Sequence, residues 1–540
     1  MLEVPVLIAG GGPVGLTLSL ELARYGVQSL VAERNPSTTK HPKMDITNGR
    51  SMELFRRIGI ADKLRAAGVS GASPFTVTWV TDFKSGHELQ RFHYLSADDE
   101  TWRRQTINDG SLTLESPLRI SQIVVEPILK QSAEACQAVD VRFGLRLESF
   151  DQDAEGVTSL LTNMATGETL SVRSKYLIGC DGGTSTVRTQ LGIDNDGNAN
   201  VARLYMAHFR SKAIDVLGQF GVAWHYQNGK GLIIAQDDKE YWTLHAFLPP
   251  GTDESQLDAR TMIEQWTGCK FEFEVLVANP WSAHYLVAQS YRKGRVMLAG
   301  DACHQFCPTG GYGMNTGIAD AANLGWKLAA ALKGWGGEAL LQSYEVERAP
   351  VARLAWQTSE SHLAVRMAMM RIYAEAGDLS GDSPEAAVKR VAVGRQIADQ
   401  GNAENEGWGT EHGYSYAESP VVATEAGAPA PFKATVYNPT TRPGSRLPHV
   451  FLNDGTPVYD HLGQWFSLIV LNGRDTTAIE EAAAGLGVPL KVLRIDEPNV
   501  RKIYESDLVL VRPDQHVAWR GEKFPADVGK LLSRVAGQAS

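Results

Sequence analysis

The chain has 540 residues, 43% hydrophobic and 21% charged, a balance that excludes the disordered, collagen-like and coiled-coil classes and, at about 100–200 residues per domain, points to about three domains. Its 52 basic and 62 acidic side chains leave a net charge of −10, which argues against nucleic acid or an anionic membrane surface as the main partner. No apolar run approaches the roughly 18 residues of a membrane helix, the five cysteines lack disulfide-type spacing, and a cleavable leader would remove the first strand, so a cytoplasmic protein is expected.

Val4 to Ala9 reads as a buried strand, Leu16 to Tyr25 has helical apolar spacing, and Gln28 to Glu33 is a second strand ending in an acid, which together make a βαβ unit. Short β-rich stretches follow from Phe75 to Phe92 and from about Val201 to Phe247, the latter with Trp224, Tyr226, Tyr241, Trp242, His245 and Phe247 in near alternation. They predict an antiparallel sheet that interrupts the nucleotide-binding parts, so the two domains interleave in sequence. Helical patterns run from Asp320 to about Leu332, Tyr344 to Ala376 and Pro384 to Ala398. Residues 401–445, rich in Gly, Ala, Glu, Thr and Pro, read as a connector. Beyond it Trp465 to Leu471 and Leu508 to Arg512 predict strands, with helices at Thr477 to Ala484 and Pro525 to Ala536.

In Gly10-x-Gly12-x-x-Gly15 the first glycine permits the tight turn after the strand, the second lets backbone approach a pyrophosphate, and the third permits close helix packing. Pro13 and Arg34 are counted with these glycines as cofactor-binding, and Glu33 ends the second strand where an acid can hydrogen-bond a ribose 2′-hydroxyl. There is one such fingerprint. The dinucleotide is therefore either NAD, or FAD with a nicotinamide that binds without a Rossmann unit of its own. Cys303 and Cys307 flank His304, but they fall in a glycine-rich turn that a flavin accounts for, so no metal is expected.

Two further stretches bear on that choice. Ser174 to Arg188 contains Cys180-Asp181-Gly182, and Gly294 to Gly317 contains Ala299-Gly300-Asp301 and Pro308-Thr-Gly-Gly311-Tyr-Gly313-Met314-Asn315. Together with the first motif these resemble the group A FAD-dependent aromatic hydroxylases, of the p-hydroxybenzoate hydroxylase-like fold, over nearly the whole chain. The resemblance implies that Asp301 contacts the ribityl chain, that Pro308 to Asn315 lies along the isoalloxazine, and that Asp181-Gly182 serves both FAD and NADH or NADPH. It also implies that Gln122 stands near the ribityl or adenosine. Lys43 stands where the family commonly has an arginine, which keeps the charge and loses the planar fork. Asp45, five residues before Arg50, matches the acid that phenol hydroxylases place beside the substrate hydroxyl, and Tyr285 matches the tyrosine of the same pocket. The arginine that some relatives carry two residues earlier is here Ala283; His284 is a candidate to compensate, and Trp224 to line the ring pocket.

The tail resembles the thioredoxin-like domain of the phenol hydroxylase branch but has no cysteine, which excludes a dithiol relay and leaves packing or dimer contacts. The resemblance therefore implies an α/β (α+β) fold. A Rossmann-like FAD-binding domain (1–74, 110–195, 290–400) interleaves with an antiparallel-sheet substrate domain (75–109, 196–289), and a thioredoxin-like domain (446–540) follows. The implied activity is an NAD(P)H- and O2-dependent monooxygenase, monomeric or homodimeric, that hydroxylates a phenolic ring through a flavin C4a-hydroperoxide. A flavin halogenase or reductase, or a non-catalytic flavin-binding sensor, are the alternatives; the halogenase Trp-x-Trp-x-Ile-Pro element is absent.

Overall fold

A computed structural model describes residues 1–84 and 86–538; Ser85, Ala539 and Ser540 lie outside the described residues. The first sheet is built on a parallel core in which Leu2–Ala9 lies between Ser29–Glu33 and Thr169–Gly179, with Val139–Phe143 beyond the former and Val296–Leu298 beyond the latter. Val6, Leu7 and Ile8 are fully buried, because a parallel sheet is covered on both faces and leaves no side for polar alternation. Helix Pro13–Arg24 returns the chain from the first strand to the second, and helix Tyr312–Leu332 packs beside it. Gly325 lies where a Cβ would meet the Glu21 Cβ at 2.8 Å, which sets how closely the two helices approach.

The second sheet has eight strands, in the spatial order His304–Gln305, Glu274–Ala288, Asn195–Arg210, Tyr241–Phe247, Gly231–Ala235, His225–Asn228, Val77–Val80 and Glu88–Phe92. All neighbours are antiparallel except His225–Asn228 with Val77–Val80. His304–Gln305 pairs with Leu286 and Val287, so the segment that follows Asp301 joins this sheet to the first. Strand alternation divides the aromatic set of Trp224 to Phe247. Tyr226 and Trp242 face Phe83, Phe209 and Trp266 in a separate core, whereas Trp224, His245 and Phe247 face a cavity.

The C-terminal sheet has the order Leu490–Arg494, Phe466–Val470, Leu508–Val511, Val517–Gly521, its first pair parallel and the other two antiparallel. With helices Thr477–Gly485, Pro498–Tyr504 and Val528–Val535 this is a thioredoxin-like α/β unit. Strands Leu490–Arg494 and Val517–Gly521 escaped the sequence reading because five residues each are too few for a period to stand out. A buried ionic network fixes the unit to the body. Arg512 bonds both carboxylate oxygens of Glu347 at 2.7 Å, Lys327 reaches Glu347 at 2.6 Å, and Arg50 bonds the backbone oxygen of Asp514 at 2.7 Å. Residues 401–445 are more than a connector. They include a helix, Trp408–His412, and the buried side chains Tyr414, Tyr416, Val421 and Val422. Among the described residues, no helix is long and apolar enough to cross a membrane.

Candidate active site

The three glycine motifs converge at the ends of adjacent parallel strands. Gly10 has φ +110°, and a Cβ there would lie 2.2 Å from the Cys180 carbonyl oxygen, so the first motif and Cys180-Asp181-Gly182 touch backbone to backbone. Gly12 is different. It is extended (φ −77°, ψ −174°), a Cβ would meet nothing within 4 Å, and no side chain caps the helix that Pro13 opens. The free first-turn amides and the helix dipole make this an anion cradle with room for a pyrophosphate. Glu33 accepts from the Gly11 amide at 2.8 Å and, through its other oxygen, from Asn35, which fixes it at the cradle's rim with Arg34 exposed beside it.

Gly300 donates its amide to Asp320 at 3.1 Å. That carboxylate is buried against Arg348 at 2.7 Å and His304 at 2.8 Å; burial alone would raise its pKa, and these two partners lower it below the ordinary carboxylate value. Asp320 therefore anchors the turn, while Asp301 stays exposed to the cavity. Cys303, His304 and Asp320 bring donor atoms within 4.8 Å of one another, but the Arg348 pair and the Gly300 amide already engage Asp320. The Pro308 carbonyl accepts from the Gly311 amide at 2.9 Å, and Gly311, at φ +67°, begins helix Tyr312–Leu332 without a side-chain cap. Gly313 is open to the cavity and Met314 lines it. Asn315 donates to the Gly311 carbonyl at 2.7 Å and to that of Ile46 at 3.2 Å, and accepts from the Asn48 amide at 3.0 Å. It ties the start of this helix to the segment that carries Asp45.

Asp181 accepts from Ser185 Oγ at 2.5 Å and the Val187 amide at 3.1 Å, and Arg188 bonds the carbonyls of Gly183 and Ala302. The second and third motifs are thereby locked together. Gln122 and Lys43 line the same cavity; the amide of Gln122 bonds Glu126 at 2.6 Å, and Lys43 is exposed. The unfilled space at Gly12 and Gly313 and the two uncapped helix starts fit an elongated dinucleotide such as FAD.

From this cradle the cavity, about 1190 Å³, continues over one face of the second sheet, tiled by Trp281, Leu204, Met206, Phe247, His245, Leu232, Ile234 and His225. Asp45 stands at the junction. One of its oxygens accepts from Trp224 Nε1 at 2.5 Å and lies 3.4 Å from His225 Nε2. Burial would raise the Asp45 pKa, but the His225 and Trp224 hydrogen bonds and the nearby imidazoles outweigh it and hold the carboxyl below its ordinary value. At the far wall Arg366 pairs with Glu404, bonding it at 2.8 Å through Nε; burial pushes that acid up and Arg366 brings it below its usual range.

Tyr285 does not meet Asp45. Its ring stacks on Trp356 at 6.2 Å and its hydroxyl sits among Cys307, Thr309 and Ser359, where burial pushes its pKa up. Tyr285 shares the Trp281 and Ala283 side of its strand, since alternate residues face the same way, but it packs there with Cys307 and Trp356; His284, on the opposite side of the strand, also borders the cavity. The Nδ1 of His284 accepts from the Asn200 amide at 3.2 Å. The sequence reading also missed His225 and the wall formed by Glu404 to His412. Period-two counting from Trp224 skips the histidine beside it, and the wall lies in a stretch without periodicity.

Residues 3–359 match the family model of the FAD binding domain, and residues 440–539 match that of the aromatic-ring hydroxylase C-terminal region. The chain is 37% identical to the FAD-dependent monooxygenase apdD of Emericella nidulans, over 99% of this chain and 90% of that protein. It is 32% identical to a putative polyketide hydroxylase of Streptomyces coelicolor, over 99% and 96%. The solved structure of chromopyrrolic acid-soaked RebC with bound 7-carboxy-K252c superposes with a TM-score of 0.90 at 35% identity, covering all of both chains. With the glycine cradle, the Gly300-Asp301 turn and the C-terminal unit in place, the chain belongs to the group A FAD-dependent aromatic hydroxylases.

Proposed function

We propose that this protein hydroxylates a phenolic ring with O2 and NADH or NADPH, and that Asp45 holds the phenolic proton. The observation that carries the reading is the position of Asp45, between the dinucleotide cradle and an apolar sheet face, with its charge kept by Trp224 and His225. Bound FAD would supply the redox chemistry, taking electrons from the nicotinamide and activating dioxygen. The residues then divide the work. The first-turn amides after Gly12 hold the pyrophosphate, with Gly10 and Gly15 shaping the turn, Glu33 the ribose and Asp301 the ribityl chain. The start of helix Tyr312–Leu332, after Pro308 and Gly311, would offer its uncapped amides and positive dipole end to the flavin ring. Asp181-Gly182 receives the nicotinamide. Asp45 accepts or orients the phenol proton, which makes the ring a stronger nucleophile. The apolar sheet face keeps water from the reacting atoms.

The five tiled strands from Glu274–Ala288 to His225–Asn228 span about 19 Å at ~4.8 Å per strand, wide enough for more than one ring. The polyketide hydroxylase relative supports a substrate of that size. The same reading divides the chain as the sequence suggested, except that residues 401–412 join the site. The five cysteines are all free, which suits a reducing cytoplasm.

The test is oxygen uptake and product analysis with NADH and NADPH over a panel of one- to four-ring phenols. Substrate-dependent uptake with a hydroxylated product is expected; uptake without any oxygenated product overturns the reading. Asp45→Asn is expected to lower kcat for hydroxylation by about 10²-fold near neutral pH. The rate should recover as pH rises towards the phenol's own pKa, since solvent then removes the proton. An unchanged pH–rate profile removes Asp45 from this role.

A further inference from the structure

His245 carries a second recognition feature in the chamber. It projects from strand Tyr241–Phe247 onto the cavity face, flanked by Met206 and Leu232 in the neighbouring strands. Its ring meets Trp281 edge-on at 6.2 Å. Neither ring nitrogen has a hydrogen-bond partner among the described residues; Nδ1 is sealed from solvent, and the ring meets the cavity through its other edge, the Nε2 side. The groups acting on it are Asp45, His225 and Arg366. Burial is the largest influence and lowers its pKa to about 4; Asp45 opposes this, and Arg366 and His225 add to it. The ring is therefore neutral near pH 7. A neutral imidazole carries one N–H. A buried N–H without an acceptor is rarer than a carbonyl-type acceptor without a donor, so the favoured tautomer seals the Nδ1 lone pair and points Nε2–H into the cavity.

From this placement we infer that His245 determines specificity by donating a hydrogen bond to an acceptor oxygen of the substrate, such as a ring carbonyl, while Asp45 takes the hydroxyl. The inference rests on the hydroxylase reading and narrows its substrate class to hydroxylated aromatics that also carry a carbonyl-type oxygen away from the reacting hydroxyl. Asp45 offers an acceptor and His245 a donor, so a ligand with two hydroxyls and no acceptor leaves the imidazole N–H matched only by a rotated hydroxyl, and a simple phenol leaves it unmatched. An unmatched buried donor costs a ligand more than a made hydrogen bond gains it.

The test compares 2-hydroxyanthraquinone with 2-hydroxyanthracene, which share a ring frame and differ in the carbonyls. Binding to the flavin-loaded protein without nicotinamide is followed by quenching of tryptophan fluorescence, Trp281 and Trp224 being in the wall. The wild type is expected to bind the quinone at least about tenfold more tightly. His245→Leu should abolish that preference while leaving the anthracene within about twofold. His245→Gln, which keeps an N–H near Nε2, should restore most of it. Equal affinity of the wild type for both probes, or an equal loss of both in His245→Leu with His245→Gln no better, overturns the inference. Because the readout is binding, it is separable from the hydroxylase reading: quinone preference without any oxygenated product would defeat that reading and leave the role of His245 standing.

Discussion

Replacing Gly12 by valine is expected to give a protein that folds as the parent does but is purified without flavin. The backbone at Gly12 is extended and open to any residue, and a Cβ there meets no protein atom within 4 Å. The added side chain enters only the space over the uncapped helix start. That space is where a pyrophosphate must come within hydrogen-bonding distance of the first-turn amides. Losing two such charge-assisted bonds, at about 1.5–3 kcal/mol each, lowers affinity at least a hundredfold. The check is the ratio of visible flavin absorbance to protein absorbance, alongside circular dichroism. Gly15→Val is the contrast. Its Cβ would stand 2.0 Å from the Gly10 carbonyl oxygen, so the helix must leave the strand and the protein should be recovered poorly or unfolded. Full flavin content in folded Gly12→Val would show that the pyrophosphate does not lie over this turn.

Glu53→Ala is expected to destabilise the union of the C-terminal unit with the body by about 3–5 kcal/mol, because it strands two buried guanidinium groups. Glu53 bonds Arg446 at 3.0 Å and Arg50 at 3.1 Å, and its backbone-facing oxygen accepts from the Leu114 amide at 2.8 Å. Its side chain is wholly enclosed, and Arg446 and Arg50 show 1% and 4% exposure. Burial raises the Glu53 pKa, yet Arg446 and then Arg50 overcome it and hold the value at about 2, against 4.5 for an ordinary glutamate. Above pH 4.5 the folded and unfolded carboxyl are both ionised and the contribution is complete. As pH falls from 4.5 towards 2 the unfolded chain takes up a proton that the folded chain does not, so the contribution shrinks and is gone below 2. Glu347, held at about 2 chiefly by Arg512 and Lys327 against its burial, acts in the same window and direction. Thermal melting of the wild type should therefore steepen its decline below pH 4.5, and Glu53→Ala should flatten part of that decline. A variant melting within a degree or two of the parent at pH 7 would contradict the account.

Glu53 and Arg50 also mark where reading by motif stops. Their Arg-Ser-x-Glu pattern was legible as part of the family segment after Asp45, but its work is to dock residues 446 and 514–515, some four hundred positions away. Asp320 is a similar case. It lies outside the Gly300-Asp301 motif, yet its buried pairing with Arg348 and His304 is what fixes that motif's turn.

The sequence by itself determined the family, the fold class and the FAD cofactor. These rest on local rules: a glycine where backbone meets backbone at Gly10, an uncapped helix start at Gly12, an acid at the strand end at Glu33, and a shift from helical to strand periodicity along the chain. Only the tertiary structure decided who faces the ring chamber. Tyr285 lies on the same side of its strand as Trp281, yet only Trp281 borders the cavity, because Tyr285 is taken up by packing on Trp356 and Cys307. His225, His245 and Glu404 come together from two strands and a stretch without periodicity, so nothing in their spacing announces a site. Asp45 was legible as a position, but its ionised state belongs to the fold, since Trp224 and His225 reach it from about 180 residues along the chain.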